Sequence, residues 1–243
     1  MRFNRIHTSD YAYLTGHWRQ RELSAALIFD LDGTMWDATG SARDIMNLVL
    51  SKKHPELSYV MTKEQATQMM GKTMEAIGCF LFPDYSAELR HQIMHEFEET
   101  ENGYLAEHGA ILYEKLPETL AALSEKYRLL IVSNSQDGYV DAFLKAHKLE
   151  KYFDDIEMFG RTGLSKADNI RLIMKRNHIE RAYYIGDTQL DETSAREAGI
   201  SFIHAAYGFG TADAPDATIH TFAELLECVG ALEAERREKI QGG

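Results

Sequence analysis

Ala26-Leu27-Ile28-Phe29 is a short apolar run that ends at Asp30, within a chain of 243 residues. Two later runs have the same form and also end at a polar residue: Leu129–Val132 before Ser133, and Ala182–Gly186 before Asp187. Runs of this length, rich in branched and aromatic residues, are typical of the buried strands of a parallel sheet. Open α/β sheets bind their ligands at the carboxyl ends of such strands. We therefore expect these polar residues to meet at one edge of a sheet, which makes the chain a candidate enzyme.

The pattern on either side of these runs predicts how the chain is divided. After Pro117, helical and strand patterns alternate, which predicts parallel strands joined by right-handed crossovers. The predicted fold class is α/β, with a Rossmann-like parallel sheet core and an inserted all-helical domain. The predicted parts are an amino-terminal arm (residues 1–23), the α/β core (24–40 and 103–243) and the helical insert (41–102).

The insert has helical patterns throughout and no convincing strand. Four helices are predicted there: one capped at Ser41, one beginning with a Thr62–Gln65 capping box, one at Met74–Leu81, and one from Ser86 towards Thr100. Gly40 and Gly103, with Asn102, flank the insert, and we expect them to serve as hinges.

Composition excludes some classes of partner. The net charge of −12 argues against a nucleic-acid partner, because binding to a phosphate backbone needs a positive face. No apolar stretch approaches the ~20 residues needed to cross a bilayer. The first 21 residues contain four arginines and no continuous apolar centre, so they do not read as a signal peptide. We expect a cytoplasmic protein with no membrane and no nucleic-acid partner.

Two carboxylates directly follow the first predicted strand, in Asp30-Leu31-Asp32-Gly33-Thr34. Gly33 permits a tight turn that can direct both carboxylates into one cavity. One carboxylate can attack phosphorus and form an aspartyl phosphate. The other can protonate the leaving oxygen and then deprotonate the attacking water. The alternative is that Asp30 caps a helix and Asp32 lies in a turn. The apolar run before Asp30 and the Gly33-Thr34 pair after Asp32 favour a catalytic role for both carboxylates instead.

Two further segments carry groups that suit phosphate. Ser133-Asn134-Ser135 offers a hydroxyl and adjacent backbone amides at a strand end, which can hold phosphoryl oxygens. Lys166 precedes a predicted helix, where a cation can screen phosphate against two carboxylates. Taken singly, the first is a common turn and the second a common exposed lysine. We interpret these two segments as phosphate-binding because they occur together with the other candidate site residues.

The last segment, Gly186-Asp187-Thr188-Gln189-Leu190-Asp191, carries two acidic residues spaced four apart. This spacing places Asp187 and Asp191 on one side of a helical turn. Carboxylate oxygens suit Mg²⁺, which would neutralise charge and orient a phosphate. Each acid alone is also compatible with a helix N-terminus favoured by the dipole.

Together these four segments resemble the motifs of the haloacid dehalogenase superfamily of phosphatases, over residues 24 to about 230. The resemblance implies that Asp30 is the nucleophile and Asp32 the general acid and base. It implies that Ser133, with Asn134 beside it, and Lys166 bind phosphate. The implied Mg²⁺ ligands and supporting residues are Asp30, Asp187, the backbone carbonyl of Asp32, and, in support, Thr34 and Asp191. The insert resembles the small cap of the phosphoglycolate phosphatase and β-phosphoglucomutase branch.

The resemblance implies a Mg²⁺-dependent phosphatase of a small phosphorylated metabolite, acting as a monomer or dimer. A dehalogenase of this superfamily would lack Asp32, because no leaving oxygen needs a proton. A sugar-phosphate mutase would share every core residue and stays open. A non-catalytic protein that binds a phosphometabolite is a third hypothesis, although it needs no nucleophile paired with an acid.

Two positions bear on specificity. Lys72 or Thr73, in the insert, is expected to reach the non-phosphate part of the substrate, although a plain helix start there is an equal alternative. Trp36 stands where the family more usually has a smaller aliphatic residue. We expect it either to narrow the entrance of the cavity or to pack against the cap.

Overall fold

A computed structural model describes residues 25–241. The predicted arm at residues 1–23 lies outside the described residues. The described part contains these strands: β1 (Ala26–Phe29), β2 (Trp36–Asp37), β3 (Ile111–Leu112), β4 (Arg128–Ser133), β5 (Asp155–Met158), β6 (Ala182–Gly186), β7 (Ser201–Ala205) and β8 (Ala217–Ile219).

Its helices are α1 (Thr39–Lys53), α2 (Lys63–Met69), α3 (Met74–Leu81), α4 (Ala87–His108), α5 (Leu116–Ser124), α6 (Tyr139–His147), α7 (Phe159–Thr162), α8 (Lys166–Arg176), α9 (Gln189–Ala198) and α10 (Leu225–Gln241). Short 3₁₀ turns lie at Pro55–Leu57, Glu150–Tyr152 and Phe222–Glu224. No helix of residues 25–241 is both long and apolar enough to span a membrane.

Six strands form one sheet in the order β5-β4-β1-β6-β7-β8, and every pairing in it is parallel. β1 lies between β4 and β6, where Phe29 is level with Ile131 on one side and Ile185 on the other. The strands that carry the predicted phosphate chemistry are therefore direct neighbours.

Alternation along β1 explains the helical layers. Leu27 and Phe29 point to one face, where they join a core shared with α5, α6 and α10. Ala26 and Ile28 point to the other face, where the core includes residues of α8 and α9. Both faces of a parallel sheet must be covered because its strands are apolar on both sides. The predicted fold class, a Rossmann-like parallel sheet with helices on both faces, is confirmed.

Helices α1–α4, called the cap helices below, have an apolar core of their own. Their predicted starts are partly confirmed. The Thr62–Gln65 capping box is present, and α3 has the predicted bounds. Ser41 as a helix cap is wrong: α1 begins at Thr39, whose backbone N–H donates to the Asp37 carboxylate at 2.9 Å. That carboxylate satisfies a donor at the first turn, so no serine is needed there.

Two segments connect the core to the cap helices, and they run side by side. β2 and β3 form a small antiparallel pair in which Trp36 lies opposite Leu112. Gly40 and Gly103 both lie inside helices, α1 and α4, and their role as hinges stays a prediction. The boundary predicted at residues 102–103 falls within continuous helix. The division of the chain into domains stays a prediction.

Candidate active site

Three neighbouring strands bring the predicted residues to one edge of the sheet. Asp30 directly follows β1, Ser133 is the last residue of β4, and Asp187 directly follows β6. Because β1 lies between the other two strands, Asp30 stands in the middle of the group. All three side chains are buried. The convergence expected from the sequence is thus present in the fold.

A tight turn after β1 places Asp32 beside this edge. The backbone N–H of Met35 donates to the carbonyl of Leu31 at 2.8 Å, and that of Gly33 donates to the carbonyl of Trp36 at 3.0 Å. Gly33 has φ +78°, and a Cβ at this position would lie 2.3 Å from Oδ2 of Asp187. The site therefore requires glycine for its backbone conformation and for the close approach of Asp187.

Lys166 is a buried cation between two carboxylates. Its Nζ lies 3.0 Å from Oδ1 of Asp30 and 2.6 Å from Oδ1 of Asp191. Burial by itself would lower the pKa of Lys166, but attraction by Asp191 and Asp30 outweighs it and raises the pKa. Lys166 is therefore charged, and it holds the Asp30 carboxylate in a defined orientation.

Burial makes ionisation of the Asp30 and Asp187 carboxyl groups unfavourable. Burial raises the pKa of Asp30 well above its usual range, although Lys166 opposes the shift. Burial, with repulsion from Asp191, raises the pKa of Asp187 to about 7. A further positive charge at the site would relieve both effects.

The donor set fits a hard divalent cation. Carboxylate oxygens of Asp30, Asp187 and Asp191 all lie within 4.8 Å of one another. Oδ1 of Asp187 is buried and has no hydrogen-bond partner among the described residues, while its Oδ2 accepts from the backbone N–H of Phe209 at 2.7 Å. Both oxygens of Asp191 are occupied, Oδ1 by Lys166 and Oδ2 by Thr188 at 2.6 Å. Asp30 and Asp187 are therefore better candidates for ligands than Asp191, which supports Lys166.

Asp32 is held by two donors that the sequence did not predict. Its Oδ1 accepts from Nε1 of Trp36 at 2.8 Å and from the hydroxyl of Tyr139 at 2.9 Å. Burial raises the pKa of Asp32 to about 6, against the lowering effect of these two hydrogen bonds. A carboxyl group with this pKa can both give and take a proton near neutral pH.

Trp36 is wholly buried, so the expectation that it narrows the entrance of the cavity is wrong. Its ring packs edge-on against Tyr139 and Phe143 of α6, at centroid distances of 5.4 and 5.0 Å. It therefore lies against a core helix, in the same apolar cluster as Leu105 of the cap helix α4.

The segment after β4 makes a hydrogen bond to the loop between two cap helices. Oγ of Ser133 accepts from the backbone N–H of Ser135 at 3.2 Å. The amide of Asn134 donates to the carbonyl of Gly71 at 3.0 Å, in the loop between α2 and α3. The phosphate-binding roles of Ser133 and Asn134 stay predictions. Thr34, predicted as a supporting residue, has a buried hydroxyl without a hydrogen-bond partner in residues 25–241.

A cavity lies between this segment and the cap helices. Its lining includes Asp32, Ser133 and Tyr139 from the core and Lys72 from the cap side. Thr73 caps α3, where its side chain accepts from the Ala76 backbone. The expectation that Lys72 or Thr73 reaches substrate stays a prediction.

The cavity also contains polar residues that sequence reasoning missed, Glu101, Ser135 as a side chain, and Gln136. Glu101 lies in α4, which reads as an ordinary charged helix, so no local signal marked its burial.

Residues 27–205 match the family of haloacid dehalogenase-like hydrolases. The chain belongs to this family. A phosphoglycolate phosphatase of Escherichia coli (strain K12) is 26% identical, over 86% of this chain and 94% of the relative. One of Aquifex aeolicus (strain VF5) is 28% identical, over 83% of this chain and 94% of the relative.

Solved structures agree with this assignment. A haloacid dehalogenase-like hydrolase of Bacteroides fragilis is 25% identical and superposes with a TM-score of 0.72, over 83% of this chain and 99% of that one. The predicted family and the predicted enzyme class, a phosphatase, are confirmed by these matches. The metal and the roles of individual residues stay predictions.

Proposed function

We propose that this family member is a Mg²⁺-dependent phosphatase that hydrolyses a small phosphate monoester through an aspartyl phosphate on Asp30. The observation that carries the proposal is the pairing of two carboxylates in different surroundings. Asp30 accepts a hydrogen bond from the charged Lys166, whereas Asp32 accepts hydrogen bonds from the neutral donors Trp36 and Tyr139. The first surroundings favour a nucleophile and the second a proton carrier.

In the first step, the Asp30 carboxylate attacks phosphorus and the bond to the leaving oxygen breaks. Lys166 orients Asp30, and Lys166 and Ser133 bind the phosphoryl oxygens. Asp30, Asp187 and the backbone carbonyl of Asp32 would hold Mg²⁺, which would supply positive charge to offset the carboxylates and the phosphate. The unpartnered Oδ1 of Asp187 supports this assignment.

Asp32 moves the proton in both steps. Protonated Asp32 gives its proton to the departing alcohol, and the resulting carboxylate then takes a proton from water. That water attacks the phosphorus of the aspartyl phosphate, which releases phosphate and restores Asp30. A pKa of about 6 suits both transfers at neutral pH.

Phosphate release from p-nitrophenyl phosphate tests the proposal. We expect release only with Mg²⁺, and a loss of about 1000-fold or more in Asp30→Asn, which keeps the shape but cannot attack. Asp44→Asn, on an exposed part of α1, is the matched control and should retain full activity.

Two outcomes would redirect the assignment. Full activity in Asp30→Asn would exclude the covalent step. Exchange of phosphate between sugar hydroxyls without net release would instead favour a mutase.

A further inference from the structure

We propose that the wall formed by Glu101, Ser135 and Gln136 binds the leaving group and selects a hydroxylated one, so that the substrate is a polyol phosphate rather than a carboxylated phosphate ester. This inference rests on the proposed phosphatase function. All three residues line the cavity that also contains Asp32, the residue that protonates the leaving oxygen. The leaving group therefore lies within reach of this wall.

The amide of Gln136 has a fixed orientation. Its Nε2 donates to Oε2 of Glu101 at 2.8 Å and to Oδ1 of Asn102 at 3.1 Å. Asn102 in turn donates to the carbonyl of Asp137 at 2.9 Å, so its oxygen must face Gln136. Because the oxygen of Asn102 faces it, the Gln136 amide cannot be flipped without placing oxygen against oxygen.

This orientation leaves Oε1 of Gln136 without a donor among the described residues. It is buried and has no hydrogen-bond partner within residues 25–241, and the residue as a whole is only 5% exposed. A buried acceptor without a donor is costly, so a bound group that donates a hydrogen bond is favoured here. A hydroxyl can donate to it, whereas a carboxylate cannot.

Ser135 offers a second open group on the same wall. Its Oγ is also buried and has no partner in the described part of the chain. A serine hydroxyl both donates and accepts, and so does an alcohol. A leaving group with more than one hydroxyl can therefore satisfy Ser135 and Gln136 together.

The surroundings of Glu101 indicate that negative charge is unfavourable at this wall. Its side chain is buried, and burial raises its pKa to about 8. The same desolvation would act on a carboxylate brought by a substrate, and Asp32 lies close enough to add repulsion. The wall therefore disfavours an acidic leaving group.

Lys72 on the cap side does not reverse this preference. Its Nζ donates to the carbonyl of Gln68 at 2.5 Å and is exposed. An exposed cation attracts a carboxylate only weakly, because water screens the pair. The relatives described above are named for phosphoglycolate, whose leaving group carries a carboxylate, so we expect this chain to differ from them.

The test compares two small esters of primary alcohols, glycerol 3-phosphate and 2-phosphoglycolate, after turnover has been established with p-nitrophenyl phosphate. We expect kcat/KM to favour glycerol 3-phosphate by about tenfold or more, since a buried polar group left unpaired carries a free-energy penalty of this order. Equal values, or a preference for 2-phosphoglycolate, would overturn the inference alone. No turnover of p-nitrophenyl phosphate would overturn the phosphatase and the inference with it.

Two variants separate recognition from a merely structural role. Gln136→Met removes the open acceptor at similar length, and Ser135→Ala removes the hydroxyl with little effect on packing. Each should lower the ratio of the two kcat/KM values by about fivefold or more. Glu99→Gln, an exposed carboxylate of the same helix as Glu101, is the control and should leave the ratio unchanged. A uniform loss on both esters would show a structural role and contradict the inference.

Discussion

The hydroxyl of Tyr139 donates to Oδ1 of Asp32 at 2.9 Å, and both groups are buried. This hydrogen bond ties helix α6 to the candidate acid of the site. Trp36 donates to the same oxygen at 2.8 Å, so one carboxylate oxygen is occupied and the other is left for chemistry. Since both donors sit in the packed core, they hold Asp32 in one orientation.

Removing one of these donors should slow the chemical step. We expect Tyr139→Phe to lower kcat by about tenfold with little change in KM, because a hydrogen bond to a charged group contributes about 1.5–3 kcal/mol. Steady-state kinetics with p-nitrophenyl phosphate would measure it. Tyr104→Phe, a half-exposed tyrosine of α4, is the control and should behave as wild type. An unchanged kcat in Tyr139→Phe would show that Asp32 needs no such support.

A methyl group at Gly33 should disrupt the site. Gly33→Ala combines φ +78° with a contact of 2.3 Å to the Asp187 carboxylate. We expect a loss of about 1–3 kcal/mol in the free energy of unfolding and loss of activity. Gly103→Ala is the matched control, because its Cβ has no neighbour within 4 Å inside α4. That change should stabilise the protein by about 0.5–1 kcal/mol. Urea unfolding would measure both, and equal effects would contradict the argument.

Glu101 should make stability depend on pH. Its pKa is raised by burial to about 8 in the folded state, from about 4.5 when unfolded. Its contribution is therefore fully present below pH 4.5 and is lost as the pH rises through 8. Glu101→Gln removes this dependence and should become more stable relative to wild type by at most about 1.4 kcal/mol per pH unit over that range. Urea unfolding at pH 6 and pH 9 tests the sign, and a constant difference would refute it.

Metal binding should be visible without any turnover. We expect Mg²⁺ to raise the melting temperature of the wild-type chain, because a ligand that binds only the folded state stabilises it. Asp187→Asn should lose this rise. It should also melt higher than wild type in EDTA at pH 8, since it removes a buried charge whose pKa lies near 7. Asp44→Asn should keep the wild-type response to Mg²⁺. A melting temperature that Mg²⁺ leaves unchanged in wild type would argue against the metal site.

Local patterns were enough to predict the framework. The apolar runs before Asp30, Ser133 and Asp187 marked buried strands, and parallel pairing brings their ends to one edge. The Thr62–Gln65 capping box was visible for the same reason, because its hydrogen bonds join residues three apart. Where a bond of that range had a competitor, as at Ser41, the prediction failed.

The sequence by itself determined the sheet, the helices that cover it and the polar residues at its edge, since these follow from periodicity over a few neighbouring positions. Only the tertiary structure decided how those residues are held. Tyr139 meets Asp32 across 107 residues of chain, and Gln136 meets Glu101 across 35. Such contacts depend on how α4 and α6 pack, and packing is a property of the whole chain.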